Sequence, residues 1–203
     1  MRLYIVRHGE TEWNVTKRLQ GRTDIPLNEN GREAARKTAE GIKDLHIDMV
    51  ISSPLVRAKE TAELMMEGRD VPMYVDERLQ EISFGIKEGE KNWKETEIFF
   101  HSPDTYQPPE GGESLTQLLE RTKEFLDDMA GRTERKDKNI LVATHGAATR
   151  ALLANIKHLP LRQFWDGSVP KNCGITLVEC GEDRMYRVIW ENRVFYEEAE
   201  PKR

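Results

Sequence analysis

An arginine and a histidine near the N-terminus are the first residues whose types suggest chemistry. Arg7 and His8 directly follow a short apolar run at residues 3–6, and Gly9 comes next. Four consecutive apolar residues predict a buried strand, and the glycine marks the turn at its end. Arginine has a rigid fork of donors suited to phosphate, and histidine can be a nucleophile, a base or a metal ligand. The pair alone is equally compatible with ordinary solvated residues at the end of a strand.

The same arrangement recurs later in the chain, which makes the first pair more informative. His145 and Gly146 follow an apolar run at residues 140–143, the clearest strand pattern in the sequence. Arg57 lies in the first turn of a predicted helix, just after another short apolar run. Parallel strands place their carboxyl ends on one edge of a sheet, where open α/β folds bind ligands. His8 and His145 can therefore meet despite their separation in sequence.

The elements that must position these residues alternate between strand and helix patterns. The predicted strands lie at residues 3–6, 49–51, 73–75, 140–143, 175–179 and 186–190. The predicted helices lie at residues 28–45, 56–66, 93–100, 114–129, 147–155 and 161–165. Such alternation indicates an α/β fold with a mostly parallel central sheet covered on both faces, a three-layer α/β/α sandwich.

Composition restricts the class of protein. The 203 residues predict a single domain, residues 1–203, and the net charge of −5 argues against general nucleic-acid binding. We expect a cytoplasmic protein without a membrane segment, because the sequence has no long apolar run and no apparent leader. Cys173 and Cys180 are expected to be free thiols in the core. A local basic pocket in an acidic protein suits a small anionic ligand.

Residues 7–14, Arg-His-Gly-Glu-Thr-Glu-Trp-Asn, resemble the signature of the histidine phosphatase superfamily, the phosphoglycerate-mutase-like enzymes. Further matching segments lie at Gln20-Gly21, at residues 52–58 with Thr61-Ala62, at residues 111–114 and at residues 144–146. The resemblance extends from residue 2 to about residue 180, with the motif order of the larger branch, branch 1. It implies a phosphoglycerate-mutase-like fold.

The resemblance implies phosphoryl chemistry for the residues that match. His8 would be the nucleophile that becomes phosphorylated, and Arg7, Arg57 and His145 would supply cationic donors to the phosphoryl oxygens. Backbone amides of the helix after His145 could add further donors. The remaining substrate-binding residues that the resemblance implies are Asn14, which would add a neutral amide, and Gln20, Gly21 and Gly146.

Glu81 is the candidate general acid for the leaving group, and the base that activates water in the second step. The segment Leu79-x-Glu81-x-x-x-Gly85 resembles the acid motif of the family, and Glu88-Gly89 completes it. Such a role requires Glu81 to be protonated when substrate binds. Lys87 departs from the family, which often has an aromatic residue there. Glu113 is either a pocket residue or a carboxylate in the first turn of a helix.

No metal and no cofactor is expected. Two histidines pressed against arginines make a poor cation site, because the site is already positively charged. Of the remaining histidines, His46 and His158 are expected at the surface, and His101 is a weak candidate for the substrate loop.

Three functions stay open at the level of sequence: a phosphatase acting on a small phosphorylated metabolite, a phosphoglycerate mutase, and a non-catalytic phospho-ligand binding protein. The short lid-like insertion at about residues 90–112 favours the phosphatase, because family mutases are generally longer there. Its aromatic residues indicate an apolar lid or buried anchors: Trp93, Phe99, Phe100 and Tyr106. The ligand is a small phosphorylated substrate or inorganic phosphate, and the protein a monomer or homodimer. Trp190 and Phe195 belong to a dimer edge or to the core.

Overall fold

The computed structural model describes residues 1–91, 95–167 and 169–196. Its six strands are β1 (Arg2–Arg7), β2 (Met49–Ser52), β3 (Met73–Val75), β4 (Asn139–Thr144), β5 (Ile175–Cys180) and β6 (Tyr186–Arg193). They form one sheet in the order β3-β2-β4-β1-β5-β6. Strands β3, β2, β4 and β1 run parallel to one another, and β5 is antiparallel to β1. A short hairpin joins β5 to β6, which is therefore antiparallel to β5. All six predicted strands are confirmed.

In the described ranges, the α-helices are α1 (Glu12–Val15), α2 (Glu29–Gly41), α3 (Val56–Met65), α4 (Glu95–His101), α5 (Leu115–Gly131) and α6 (Gly146–Lys157). The prediction missed α1, whose single turn is held by a capping box between Thr11 and Asn14. It also extended α2 too far, because the helix ends at Gly41. The short helix expected near residue 161 is a 3₁₀ turn, Leu161–Gln163.

The helices cover both faces of the sheet because alternate strand residues point to opposite sides. On β1, Tyr4 and Val6 belong to a core that includes residues of α2 and α3. Leu3 and Ile5 belong to a second core with residues of α5 and α6. The predicted three-layer α/β/α architecture is therefore confirmed.

A third apolar cluster lies beside the loops rather than across the sheet. It joins Phe84, Phe99 of α4, Tyr106 and Phe164 to alanines of α6. Phe99 and Tyr106 are buried, so they anchor the segment that the sequence marked as a lid. Trp93 lies outside the described residues.

Three adjacent central strands bring the predicted site together. His8 follows β1, Ser53 follows β2 and His145 follows β4. The backbone amide of His8 donates to the carbonyl of Thr144, and that of Ser53 donates to the carbonyl of Ala143, each at 2.9 Å. The hydrogen bonds of the sheet thus continue one residue beyond β1 and β2. They fix the positions of His8 and Ser53 relative to the end of β4, which His145 follows.

The C-terminal aromatic residues contribute to the core. Trp190 and Phe195 are partly buried and pack against the cluster of α2 and α3. This packing favours a place in the core over a place at a dimer edge. Both cysteines are buried, as expected of core thiols. Within the described ranges, no helix combines the length and apolar character needed to cross a membrane.

Candidate active site

A small cavity at the carboxyl edge of the sheet contains eight of the nine predicted site residues. Its volume is about 180 Å³, and its lining includes Arg7, His8, Asn14, Gln20, Gly21, Arg57, Glu81 and Gly146. The ninth, His145, is fully buried, and its ring centroid is 5.2 Å from that of His8. A larger cleft of about 600 Å³ also borders Arg7, but neither His8 nor Glu81 lines it. The smaller cavity is therefore the candidate active site.

The orientation of the His8 ring leaves one nitrogen free to react. Its Nδ1 lies 2.6 Å from the carbonyl oxygen of Gly9. Because a carbonyl only accepts, Nδ1 carries the proton and Nε2 is unprotonated. Burial, together with the charges of Arg57 and Arg7, holds the pKa of His8 well below its usual range. His8 is therefore a neutral imidazole at neutral pH, with Nε2 as its nucleophilic atom.

The backbone around His8 is held from two other elements. The amide of Gly9 donates to the Thr61 hydroxyl of α3 at 2.9 Å, and the side chain of Asn172 donates to the carbonyl of His8 at 2.9 Å. A β-carbon on Gly9 would lie 2.7 Å from the carbonyl oxygen of Gly31 in α2. The close approach of α2 explains why glycine follows His8.

The two arginines are oriented by backbone carbonyls. Arg57 donates through Nη1 to Thr23 at 2.8 Å and through Nη2 to Gly21 at 2.7 Å, and Arg7 donates through Nη1 to Pro170 at 2.6 Å. Carbonyl oxygens orient a guanidinium group without neutralising its charge. Burial lowers the pKa of Arg57 to about 10, so the side chain stays charged at neutral pH. In the described part of the chain, the buried Nε atoms of both arginines have no partner. Charged, unpaired donors of this kind suit an anion.

His145 differs from its predicted role in one respect. Nε2 is 2.7 Å from the hydroxyl oxygen of Ser53, and Nδ1 is buried without a partner among the described residues. Burial, reinforced by the charge of Arg57, holds the pKa of His145 well below its usual range. The environment therefore favours a neutral ring over the cationic donor that the sequence predicts.

Glu81 occupies the N-terminus of α6. Its Oε2 accepts from the amide of Ala147 at 3.1 Å, and its Oε1 accepts from the amide of Ala148 at 3.0 Å. These amide donors at the positive end of a helix favour the ionised carboxylate, which is the form that the base role requires. The acid role requires the protonated form. The placement of Glu81 corrects the expectation that these amides donate to the phosphoryl group, because they hold Glu81 at the edge of the cavity instead.

The predicted substrate-binding residues have distinct surroundings. The Oδ1 atom of Asn14 accepts from Thr11, so its NH₂ group is the part suited to an anion. The Oε1 atom of Gln20 is buried and unpaired within the described residues. A β-carbon on Gly146 would lie 3.6 Å from Oε2 of Glu81 and 3.7 Å from Nε of Arg7. Gly146 therefore lies beside both of these side chains.

Glu88 ties together the two loops that line the cavity. Its carboxylate accepts from the amides of Arg22 and Thr23 at 2.9 and 2.7 Å, and from the amide of Phe84 at 3.1 Å. Gly21 has a positive φ of 52°, and a β-carbon there would collide with the Glu88 carboxylate. Glu88 therefore fixes the loop whose carbonyls hold Arg57.

Glu113 neither lines the cavity nor lies in the first turn of a helix, the two places that its sequence position suggested. It precedes the N-cap of α5, and both of its carboxylate oxygens pair with Arg121, at 2.7 and 2.8 Å. Arg22 approaches the same carboxylate at 3.1 Å. Arg121 also donates to the carbonyls of Gln80 and Glu81 at 2.8 and 3.1 Å. The ion pair is thus a support for the backbone that carries Glu81.

Aromatic side chains form one wall of the cavity, and the exposed Arg18 also lines it. Phe84, Phe99, Phe100 and Trp165 line the cavity together with Arg18. The ring centroids of Phe99 and Trp165 are 5.2 Å apart, and the Trp165 indole donates to the carbonyl of Phe99 at 2.7 Å. Phe99 and Phe100 come from the segment for which the sequence left open an apolar lid or buried anchors. Arg18 adds a charge that the sequence did not indicate.

Sequence reasoning missed the supporting residues, chiefly Ser53, Thr61, Glu88, Arg121 and Asn172. The first three lie within segments that the family motifs cover. The sequence therefore gave their positions, but it did not indicate which groups they would support. Arg121 and Asn172 carried no signal, because their partners are distant in sequence. The three other histidines are exposed and none lines the cavity: His46, His101 and His158.

The fold and the site together define a class of protein. A buried neutral imidazole, two charged arginines and a carboxylate at the end of a mostly parallel sheet are suited to transfer of a phosphoryl group. Comparison with known proteins agrees. The family model for the histidine phosphatase superfamily (branch 1) matches residues 3–193. The chain therefore belongs to this superfamily.

Individual relatives include phosphatases and mutases by name. An uncharacterised phosphatase, PhoE, of Bacillus subtilis strain 168 is 37% identical over 153 residues, or 75% of each chain. A probable phosphoglycerate mutase, GpmB, of Proteus mirabilis is 34% identical over 79% of this chain and 76% of its own.

Solved structures with the same fold include YhfR of Bacillus stearothermophilus, with a TM-score of 0.88 and 32% identity over 95% of this chain and 97% of that one. A phosphoserine phosphatase of Entamoeba histolytica, solved in complex with phosphoserine, has a TM-score of 0.81 and 28% identity over 94% of this chain and 96% of its own. Structural neighbours thus include a protein that binds a small phosphorylated molecule, and the superfamily supports an enzyme with phosphatase-type or mutase-type activity.

Proposed function

We propose that this protein is a phosphomonoesterase that hydrolyses a small phosphorylated metabolite through a phosphohistidine on His8. One observation carries the proposal: the unprotonated Nε2 of a buried His8 shares a cavity with two charged arginines whose Nε atoms are unpaired within the described residues. In covalent phosphoryl transfer, a nucleophile attacks phosphorus and cationic donors stabilise the charge on the phosphoryl oxygens.

In the first step, Nε2 of His8 attacks phosphorus, and a P–N bond forms as the ester P–O bond breaks. Glu81 gives its proton to the leaving oxygen, and the alcohol departs. In the second step, water attacks the phosphohistidine while the Glu81 carboxylate takes a proton from it. The P–N bond breaks, inorganic phosphate leaves, and both side chains return to their starting states.

Arg7 and Arg57 act on the charge of the transferred group. That charge is spread over three oxygens, and donors fixed in place before the reaction stabilise it without reorganising. Carbonyl partners hold the guanidinium groups in position without cancelling their charge. In this proposal, Asn14 and Gln20 contribute uncharged amides from the same cavity.

The cavity also restricts the substrate. A volume of about 180 Å³ is below the roughly 300–1,000 Å³ of sites for drug-sized ligands. The aromatic wall suits a compact organic group with apolar surface, and Arg18 is near enough to contact a polar substituent. A small phosphate ester fits these features, and phosphoserine, the ligand of the Entamoeba relative, is of that general size.

Phosphoglycerate mutase is the second candidate function, because one relative is named as a probable mutase. Both activities share the first step, and a mutase returns the phosphoryl group to the substrate rather than to water. A coupled assay that follows interconversion of 2- and 3-phosphoglycerate separates them. A non-catalytic binding role is less well supported, since the candidate nucleophile and acid are both present.

We further propose that the reaction needs no metal or other cofactor, since two guanidinium groups already supply the positive charge. Among the described residues, no group of three or more His, Cys, Asp or Glu side chains is arranged to hold a metal ion. A cytoplasmic location and a single domain spanning residues 1–203 remain predictions, as does a monomeric or homodimeric state.

The test is release of inorganic phosphate from p-nitrophenyl phosphate and a panel of phosphorylated metabolites, in EDTA. We expect His8→Ala to reduce kcat by about 10³-fold or more, because the covalent step is lost. His46→Ala is the matched control, since His46 is exposed and lies outside the cavity. Equal turnover by wild type and His8→Ala would refute the nucleophile. Activity that is lost in EDTA and restored by a metal ion would refute metal independence.

A further inference from the structure

The hydroxyl group of Ser53 has a restricted choice of partners. Ser53 is fully buried. Its oxygen accepts from the backbone amide of Leu55 at 3.3 Å and lies 2.7 Å from Nε2 of His145. The amide is a donor and cannot receive the hydroxyl hydrogen. Within the described residues, the acceptor recorded for that hydrogen is Nε2 of His145.

This contact determines which nitrogen of His145 carries its proton. A buried hydroxyl hydrogen without an acceptor is costly, so Ser53 donates and Nε2 accepts. A neutral imidazole has one N–H, which then lies on Nδ1. Nδ1 is itself buried and unpaired within the described residues, although it is a donor in this tautomer. An unpaired buried donor beside a candidate nucleophile indicates a ligand atom as its partner.

We propose that Ser53 is a positioning residue that fixes His145 in the Nδ1–H tautomer, so that Nδ1–H donates to the phosphoryl group transferred to His8. The inference rests on the proposed function, because the acceptor of this hydrogen bond is an oxygen of the substrate phosphate. The rings of His8 and His145 are 5.2 Å apart between centroids, which places a phosphoryl group on His8 next to the second ring.

The tautomer of His145 matters because the ring is neutral. Nδ1 can donate a hydrogen bond only if the single N–H of the neutral ring lies on it. The charged or titratable groups that act on His145 are Arg57 of α3, His8 and Arg7 at the end of β1, and Arg121 of α5, and each disfavours the imidazolium form. In the other neutral tautomer, Nδ1 would direct a lone pair at an anionic oxygen. Ser53 thus decides whether His145 attracts or repels the group in transfer.

Nuclear magnetic resonance of ¹⁵N-histidine-labelled protein tests the tautomer directly, because long-range ¹⁵N–¹H correlations distinguish Nδ1–H from Nε2–H. The signal of His145 is assigned as the one absent from His145→Gln. We expect Nδ1–H in the wild type, and a partial or complete change to Nε2–H in Ser53→Ala. Ser52→Ala is the matched control, because the Ser52 hydroxyl is also buried but donates to the carbonyl of Ser53. It should retain Nδ1–H.

Kinetics with p-nitrophenyl phosphate provide the second measurement. We expect Ser53→Ala to reduce kcat by about 10- to 100-fold with a smaller change in KM, because the donor acts most strongly on the transition state. Ser53→Thr restores a hydroxyl and should recover part of the loss. A wild-type His145 in the Nε2–H form would overturn the inference. So would a folded Ser53→Ala that keeps Nδ1–H and a kcat within about twofold of wild type.

The spectrum of the wild-type protein tests the tautomer of His145 even if Ser53→Ala fails to fold. Wild-type protein that hydrolyses the ester through His8, but holds His145 as Nε2–H, refutes the inference and leaves the proposed function intact. Wild-type protein with Nδ1–H that neither releases phosphate nor shifts this proton when inorganic phosphate is added refutes the proposed function. In that case the role assigned to the tautomer fails with it.

Discussion

At the scale of single residues, the site is built by giving each reactive group a partner that leaves its reactive atom free. A carbonyl holds the proton of His8 on Nδ1, and carbonyls hold Arg7 and Arg57 without neutralising them. Backbone amides of Ile82, Ala147 and Ala148 donate to the carboxylate of Glu81. Backbone groups cannot rearrange like solvent, so the charges are oriented before a substrate arrives.

Glu81→Gln tests the proposed acid and base roles separately. With an alkyl phosphate we expect kcat to fall by about 10²–10⁴-fold, because a poor leaving group needs a proton. With p-nitrophenyl phosphate the first step should be much less affected, since the leaving group is a weak base. The second step still lacks its base, so stopped-flow absorbance should show a burst of about one p-nitrophenolate per site.

Glu110→Gln is the control for this variant, because Glu110 is an exposed carboxylate in a nearby loop and does not line the cavity. It should behave as wild type with both substrates. Equal loss of rate with both leaving groups and no burst would contradict the role of Glu81 as the acid.

At the scale of elements, loops that are distant in sequence are joined by a few buried side chains. Glu88 connects residues 22–23 to residue 84, and Arg121 connects α5 to the backbone of Glu81. Arg57 depends on the first of these connections, since its carbonyl partners belong to Gly21 and Thr23. The geometry of the cavity is therefore a property of the connected loops.

Glu88→Ala should show this dependence. The variant loses several hydrogen bonds to a charged group, and we expect the free energy of unfolding to fall by about 2–3 kcal/mol. We also expect kcat/KM to fall by about 10- to 100-fold, because Arg57 loses its fixed position. Urea denaturation and steady-state kinetics measure the two effects.

Glu90→Ala is the matched control, because Glu90 makes a partly exposed ion pair with Lys87 at 3.2 Å. We expect a change of no more than about 1 kcal/mol and an unchanged kcat/KM. If Glu88→Ala kept full activity, the orientation of Arg57 would not depend on this carboxylate.

At the scale of the whole molecule, burying two neutral histidines among arginines makes stability depend on pH. The pKa values of His8 and His145 are well below the value of about 6.5 expected in the unfolded chain. Between the folded and unfolded pKa values, the unfolded chain binds more protons than the folded one. Stability is therefore fully present above about pH 6.5 and is lost as the pH falls toward the folded values.

We expect the free energy of unfolding to decrease by up to about 2.7 kcal/mol per pH unit below pH 6.5, since two protons are taken up. Surface carboxylates such as Asp48 and Asp183 have lowered pKa values because of their ion pairs, so their effect begins only near pH 4. Denaturant titrations from pH 7.5 to 5 measure the slope.

A double variant, His8→Asn with His145→Gln, should remove most of this slope, and His46→Gln should preserve it because His46 is exposed. If the free energy of unfolding of the double variant fell with pH as steeply as that of the wild type, the two buried neutral rings would not be its cause.

The sequence by itself determined the fold class and the residue types that meet in the candidate site. Apolar runs in β1, β2 and β4 predict strands because a buried strand requires them, and the polar residues that follow each run mark the carboxyl edge of the sheet. The contiguous motif around His8 then indicated phosphoryl chemistry. The six strands follow from such local patterns, and eight of the nine site residues predicted from the sequence line one cavity.

Only the tertiary structure decided how those residues are protonated and held. The tautomers of His8 and His145 depend on contacts with Gly9 and Ser53. The placement of the Glu81 side chain at the N-terminus of α6 depends on the amide of Ala147. Desolvation and the summed field of the arginines also depend on distances that no local pattern encodes. The sequence names the reactive groups because residue type is local, and the fold sets their state because electrostatics and burial are not.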